Sequence, residues 1–241
     1  MRYCTWVYLL SLMLITSVSG SEVLMISDIG SSARQIAIGS VEGFSRASNV
    51  IFENPAGLAD ISKQSVSLFG SKLMGEATYN SLSYAHRTPY GVFGLGYINV
   101  GVDGIPLTSE VQNLDGGFQD NMQFIKTQDI SYSNHLLKIA YQQFFTEKLS
   151  VGAAFHFYSS QLHEYKGKGQ NLDLGFMWAT RFVRYSLSFK NLLRTQLVSY
   201  SDGGKETYPF QMVLSGETGY RDFDCYFQLK QFGDRYGIKP S

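Results

Sequence analysis

The chain has 241 residues, with 20 basic and 20 acidic side chains that cancel to a formal net charge of zero. This length predicts one domain or a domain with a small appendage, and the balanced charge gives nucleic-acid binding no basic face. Only 17% of the residues are charged and no apolar run reaches about 18 residues, so a helical membrane protein is excluded. Aromatic residues make up 15% of the chain and there are 24 glycines, a composition that suits a β-sheet protein with two different faces.

Residues 1–20 have the order of a secretory signal peptide. Arg2 precedes an apolar stretch from Val7 to Val18, and small residues follow up to Gly20. The stretch of about 12 residues is short for a membrane anchor of about 20, so we expect cleavage and export. The mature chain would keep one cysteine, Cys225, which excludes an intramolecular disulfide.

Residues 21–62 differ in character from residues 63–241. The first part mixes small and apolar residues without a sustained period of two, and Gly39, Gly43 and Asn54-Pro55 interrupt it. These features predict short helical turns and loops. The second part repeats the alternation of apolar and polar residues that is typical of β-strands.

Four segments alternate most clearly, and five weaker ones bring the predicted number of strands to about nine or ten. The clear segments are Val151–Tyr158, Asn171–Trp178, Phe182–Asn191 and Phe223–Lys230. Short connections are predicted near 88–90, 145–148, 179–181 and 220–222. Long polar loops are predicted near 103–127, 161–170 and 192–207.

Two architectures fit such strands in an exported chain. A soluble β-sandwich packs its apolar faces against each other, whereas a membrane barrel turns them outward to lipid and lines its interior with polar side chains. Tyr and Phe recur near the predicted strand ends, short and long connections alternate, and charges lie on the face opposite the apolar one. We therefore predict an all-β, antiparallel transmembrane β-barrel with a small N-terminal helical hatch, and the sandwich stays as the alternative.

The segment from Ala33 to Asp60 resembles the start of mature proteins in the FadL-like superfamily of outer-membrane barrels, closest to the PorV/PorQ-type branch. The matching residues are Ala33-Arg34, Ile36 and Ile38-Gly39, followed by Asn54-Pro55-Ala56-Gly57-Leu58. The resemblance implies that residues 21–62 form a hatch inside the barrel and that the protein lies in the cell outer membrane. Members of that superfamily move fatty acids or aromatic hydrocarbons, and the PorV-type branch serves type IX protein secretion.

The predicted strand number departs from the family, whose barrels usually have 14 strands. The chain also ends at Ser241 without the terminal aromatic strand that usually guides barrel assembly. Missing C-terminal strands, a small barrel and closure through oligomerisation all stay open at this point.

Three sets of candidate residues follow. A structural hatch motif comprises Arg34, Gly39, Asn54, Pro55, Ala56 and Gly57. Charged positions expected to face the lumen are Asp173, Arg184, Lys190, Asp224 and Lys230, because a lipid-exposed Lys or Arg at the midplane would cost about 2–4 kcal/mol. Candidate ligand-contacting residues of the hatch are Phe44, Ile51 and Phe52.

No catalytic residue, metal site or cofactor is predicted, and we do not expect an enzyme. The four histidines lack metal-ligand spacing, and no nucleophile and base share a recognisable motif. The expected partners are the outer-membrane bilayer and a hydrophobic small molecule that is bound or transported. The alternative function is a non-transporting secretion or assembly component, whose docking surface would be the 103–127 loop with Phe118, Met122 and Phe124.

Overall fold

The computed structural model describes residues 30–112, 122–162, 165–193, 197–200, 205–207, 209–220 and 223–232. The predicted signal peptide and Phe118 lie outside these residues. The prediction of an all-β, antiparallel fold is confirmed, because nine strands follow one another in a single antiparallel sheet. Two further short strands are attached to its side.

The strands of the main sheet occur in chain order with one insertion. Their bounds are β1 (Gln64–Leu73), β2 (Ala77–Thr88), β3 (Gly91–Gln112), β4 (Met122–Phe144), β5 (Leu149–Leu162), β6 (Tyr165–Ala179), β7 (Val183–Lys190), β10 (Gln211–Tyr220) and β11 (Phe223–Phe232). The inserted pair, β8 (Leu197–Tyr200) and β9 (Lys205–Thr207), forms a hairpin that pairs with β6 at Gly167 and Lys168.

The sheet has two free edges within the described residues, β1 and β11, which are not paired with each other. Neighbouring strands alternate in direction, so the first and the ninth strand of the series run the same way. The short turns at 89–90, 145–148 and 180–182 all lie at one end of the sheet, which we call the short-turn end. The opposite end carries the longer extensions of β3 and β4.

The N-terminal segment, residues 30–62, is a series of short helical turns. Helix α1 (Ala33–Ala37) is capped by the Ser32 side chain, and Gly39 follows its end at φ 76°, where glycine is favoured. Two 3₁₀ helices follow, η1 (Ser48–Phe52) and η2 (Pro55–Asp60). Asn54 caps η2, and Pro55 occupies the first helical position that suits proline.

One face of the sheet, the inner face, is covered by the N-terminal segment. Ser48 bonds to Ser65 on β1, and Glu42 bonds to Lys230 on β11, so the same segment reaches both edges. The sheet must therefore curve around it. In β2 the inner positions from Tyr79 to Ala85 are buried and every intervening residue is exposed.

The two faces of the sheet differ in polarity. The inner face is mixed: apolar side chains such as Ile98 and Leu136 pack with Ile51 and Phe52 of the segment in one buried cluster. Buried inner positions include many polar and charged side chains, among them Ser81, Asn134, Lys138, Asp173 and Lys190. The other face, the outer face, carries exposed apolar side chains across the sheet; these include Leu82, Phe93, Leu95, Leu137, Ile139, Phe157, Trp178 and Phe227. No second sheet covers this face in the part of the chain that the structure describes.

The prediction of three long loops was wrong for most of their residues. Residues 103–112 and 122–127 continue β3 and β4 as a two-stranded ribbon, and β5 and β6 extend to 162 and from 165. Part of 192–207 forms β8 and β9. Residues 103–109 and 125–129 of the ribbon are exposed apart from half-buried Ile105, so they lack the alternation that marks a half-buried strand.

Among the described residues, no helix is long and apolar enough to cross a membrane.

Candidate functional site: the seat of the N-terminal segment

Four glycines on the inner face make room for the N-terminal segment. Gly152 on β5 lies directly beneath Pro55 and Ala56, and a Cβ atom there would be 2.5 Å from the Pro55 carbonyl carbon. A Cβ atom at Gly175 on β6 would collide with the Asn54 side-chain oxygen. On β3, Gly96 touches Phe52 and Gly94 touches Leu58. We call these four glycines and the residues above them the seat.

Asn54 fixes the segment to two strands of the sheet. Its Nδ2 donates to Ser186 Oγ at 2.8 Å and to the carbonyl oxygens of Phe176 and Leu187 at 3.2 and 3.3 Å. Its Oδ1 accepts from Ala56 N at 2.9 Å. The fully buried amide is therefore satisfied at both its nitrogen and its oxygen, which is what burial of a polar group requires.

Two further strands hold the carbonyl groups of η2 and of the residue after it. Arg87 on β2 donates to Ile61 O and Ala59 O, both at 2.6 Å. Ser150 on β5 donates to Ala56 O at 2.9 Å. Arg87 thus satisfies backbone acceptors at the C-terminal end of a short helix, where intrahelical partners run out, and Ser150 holds its first turn.

A buried ionic cluster joins the segment to β7 and β11. Glu42 lies 2.5 Å from Lys190 Nζ and 3.1 Å from Lys230 Nζ. Burial alone would raise the pKa of Glu42, but the two ammonium groups outweigh it and hold that pKa below its usual value. Glu42 is therefore a carboxylate whose charge is compensated inside the sheet.

A second, more exposed cluster lies at the short-turn end. Arg184 on β7 contacts Asp60 of η2 at 2.7 Å and Glu217 on β10 at 3.3 Å. Arg46 of the segment contacts Glu217 at 2.7 Å. The cluster therefore ties η2 and the chain before η1 to adjacent strands.

Glu53 is buried within the segment without a cationic partner in direct contact. Its carboxylate accepts from Gly43 N at 2.8 Å and from the hydroxyl of Ser45. Burial raises the pKa of Glu53 to about 7, and nearby Glu42 adds to the rise, while the two hydrogen bonds and Lys190 oppose it. Glu53 thus changes charge near neutral pH.

A third buried group of charges lies on the inner face of the central strands. Lys138 Nζ on β4 is 2.6 Å from Asp173 Oδ2 on β6, and His156 Nε2 on β5 is 3.3 Å from Asp173 Oδ1. Asp173 Oδ1 also accepts from Asn191 N at 2.9 Å.

The structure places the five charged positions of the sequence analysis on one side of the sheet. Asp173, Arg184, Lys190 and Lys230 lie on the inner face, and the last three contact the N-terminal segment. Asp224 has the same strand parity as Lys230 but is exposed at the start of β11. Arg34 of the hatch motif is exposed on α1.

The three candidate ligand-contacting residues are buried in the seat or beside it. Ile51 packs against Gly94, Phe52 packs against Gly96, and Phe44 lies 6.0 Å from the Tyr226 ring. None of the three is more than 1% exposed. They pack the segment onto the sheet in this structure, and contact with a ligand stays a prediction.

Several residues of the site were not predicted from the sequence. They are Glu42, Arg87, Lys138 and Glu217. Lys138 and Glu217 lie on strands with weak alternation, and Glu42 and Arg87 meet their partners only through long-range folding. The sequence offered one signal for these residues: a charged residue on a strand that shares its parity with the polar residues of that strand is expected to lie on the inner face.

The outer face is apolar and carries a groove near the short-turn end. The groove has a volume of about 780 Å³ and is lined by Leu149, Phe176, Trp178, Tyr185, Leu187 and Leu214. Exposed aromatic side chains lie in or next to the short turns; they are Tyr90, Phe93, Phe144, Phe145, Trp178, Phe182 and Phe223. Tyr79, by contrast, is an inner residue and fully buried.

Within the described residues, no group of three or more His, Cys, Asp or Glu side chains could hold a metal ion. Comparison of the sequence with protein-family models and with curated proteins finds no match.

Proposed function

We propose that this chain is an outer-membrane protein of the β-barrel type, with its outer face in lipid and its interior filled by the N-terminal segment. The observation that carries the proposal is that the exposed outer face is apolar although charged side chains are buried on the inner face. Charged Lys138, Asp173 and Lys190 are buried beneath the segment, while aliphatic and aromatic side chains are exposed across the strands.

An exposed apolar surface that extends over so many strands is unfavourable in water. Contiguous apolar patches beyond a few hundred Å² usually mark contact with a membrane or a partner. In a bilayer the same surface contacts apolar acyl chains in place of water, so its exposure carries no hydrophobic cost. The aromatic side chains at the short-turn end match an interfacial girdle. The opposite orientation would bring the charges of the inner face into lipid.

The proposal requires the free edges of β1 and β11 to be paired, because lipid offers no hydrogen-bond partners to a strand edge. The two edges run in the same direction. Direct closure would therefore create one parallel pair, whereas an all-antiparallel barrel would need an odd number of intervening strands. The bridging of both edges by residues 42–48 limits the gap, since seven residues reach at most about 25 Å.

We propose that the activity is the binding and passage of a hydrophobic small molecule of the fatty-acid or hydrocarbon type. The support is the resemblance of Ala33–Asp60 to the hatch of FadL-like barrels, together with the location of that segment on the inner face. Since hydrogen bonds and ion pairs hold the segment to the sheet, passage requires the segment to move. The segment is then the gate of the proposed pathway.

Vesicles containing the mature chain test this activity through saturable uptake of a fluorescent long-chain fatty acid. A locked variant is available, because Ser48 Oγ and Ser83 Oγ are 2.9 Å apart. The variant S48C/S83C/C225S should stop uptake when oxidised and regain it on reduction. The matched control C225S should be indifferent to oxidation. Absence of saturable binding in the native chain would contradict the proposal, and uptake through the oxidised variant would contradict the gate.

A second candidate function is a non-transporting secretion or assembly component, and the length of the β3–β4 ribbon favours it. The two strands have 22 and 23 residues, whereas about 9–11 residues cross a bilayer. The ribbon begins beyond a register shift between Val102 and Ile105 and exposes Leu107 and Ile125. Replacing residues 104–130 by a tight turn should abolish partner capture under this function and leave fatty-acid uptake intact under the first.

A further inference from the structure

We propose that the groove on the outer face is a binding site for one anionic phospholipid, with an acyl chain in the groove and the phosphate at Lys148 and Arg181. This inference rests on the proposed membrane location. The proposed lipid site is separate from the pathway for the hydrophobic small molecule, and its ligand belongs to a different class.

The shape and lining of the groove suit an acyl chain. Its volume of about 780 Å³ lies within the usual range of small-molecule sites, about 300–1,000 Å³. Leu149, Phe176, Leu187 and Leu214 provide an apolar floor across four strands. Trp178 and Tyr185 meet above β6 and β7 with their ring centroids 6.1 Å apart.

Two basic residues lie where the groove meets the short-turn end. Lys148 directly precedes the lining residue Leu149, and Arg181 follows the lining residue Thr180. The two turns are joined by a hydrogen bond from Ala179 N to Lys148 O of 2.9 Å, which keeps both residues at one edge. Both residues are exposed, and the Arg181 guanidinium lies 5.4 Å from the Phe182 ring centre.

The two threonine hydroxyls at this edge bond to the backbone of their own turns. Thr146 Oγ1 accepts from Leu149 N at 3.0 Å, and Thr180 Oγ1 bonds to Val183 O at 2.8 Å. Lys148 and Arg181 against Glu147 leave one net positive charge at the mouth of the groove. This charge favours a headgroup with a net negative charge over a zwitterionic one.

Trp178 provides a direct readout, because it is the one tryptophan of the mature chain and it lines the groove. The experiment compares quenching of its fluorescence by brominated phosphatidylglycerol and brominated phosphatidylcholine at equal mole fraction in vesicles. One basic side chain near an anionic surface is worth about 1 kcal/mol, so the expected preference for the anionic lipid is about fivefold.

The charge variants make the test specific. K148Q/R181Q should abolish the preference, and E147Q should increase it. The control K72Q/K126Q removes the same net charge at positions far from the short turns and should leave the preference unchanged. Equal quenching by the two lipids in the native chain, or a preference that survives in K148Q/R181Q, would overturn the site. Absence of quenching by either lipid would instead contradict the membrane location, and the site with it.

Discussion

Asn54 and Ser186 are separated by 132 positions, and their side chains form a 2.8 Å hydrogen bond between the N-terminal segment and β7. The same Asn54 amide also donates to carbonyl groups of β6 and β7, so one side chain attaches the segment to both strands. The segment is therefore held tightly against the inner face of the sheet.

Replacing Asn54 by aspartate should destabilise the protein by about 3 kcal/mol, because a buried carboxylate would face two carbonyl oxygens and lose three donated hydrogen bonds. The measurement is urea unfolding of the refolded mature chain, followed by Trp178 fluorescence. The exposed Gln128→Glu on the β3–β4 ribbon is the matched control and should change the free energy of unfolding by less than about 0.5 kcal/mol. Similar effects of the two substitutions would show that Asn54 does not hold the segment.

Gly152→Ala should cost about 1–3 kcal/mol and should expose the segment to protease, because the added methyl group collides with the backbone of Pro55 and Ala56. Backbone atoms at 2.5 Å cannot move aside without displacing η2. Gly101→Ala is the control, since its nearest neighbour would be Tyr132 O at 3.7 Å. Limited proteolysis of residues 30–62 distinguishes the two variants, and equal resistance would argue against a tight seat.

Glu42→Gln should destabilise the protein by about 3–5 kcal/mol above pH 5, because it leaves Lys190 and Lys230 buried without their carboxylate. The depressed pKa of Glu42 means that the native chain keeps this stabilisation above the usual pKa of a glutamate and loses it in more acidic solution. Urea unfolding at pH 7 and at pH 3 measures both effects. A variant as stable as the native chain at pH 7 would contradict the cluster's role.

For Glu53 we predict the opposite dependence of stability on pH. Its pKa is raised from 4.5 to about 7 in the folded protein, so the folded state holds the proton more tightly than the unfolded state. The stabilisation is complete below pH 4.5 and is lost as the pH rises through about 7, a change of about 3 kcal/mol. Glu53→Gln should remove this loss and be more stable than the native chain at pH 8. The exposed Glu76→Gln should keep the native profile.

The sequence predicted the alternation of the clearest strands well. The apolar sets that begin at Val151, Leu172, Val183 and Phe223 all lie on the outer face, and Asp173, Lys190 and Lys230 lie on the inner one. A period of two survives because each face has one environment along the strand. The hatch turn at Asn54-Pro55 was also predictable, since both residues have strong local preferences.

The ribbon and the seat could not be predicted in the same way. Residues 103–109 are exposed on both sides apart from half-buried Ile105, so no apolar period distinguishes them from a loop. The pairing of Glu42 with Lys190 and Lys230 depends on how the segment crosses the sheet, which local sequence does not encode. Phe44, Ile51 and Phe52 read equally well as ligand contacts and as packing residues until their neighbours Gly94, Gly96 and Tyr226 are known.

The most direct test of the central claim, that the outer face lies in lipid, compares Leu95→Arg with Leu107→Arg in vesicles. The two leucines are almost equally exposed, at 48% and 44%, but Leu95 lies on the apolar outer face of β3 and Leu107 on the ribbon. The account predicts that Leu95→Arg lowers the free energy of unfolding by about 2–4 kcal/mol and that Leu107→Arg changes it by less than about 0.5 kcal/mol. Small and equal effects of both substitutions would show that the two positions share one solvent, and would contradict the account.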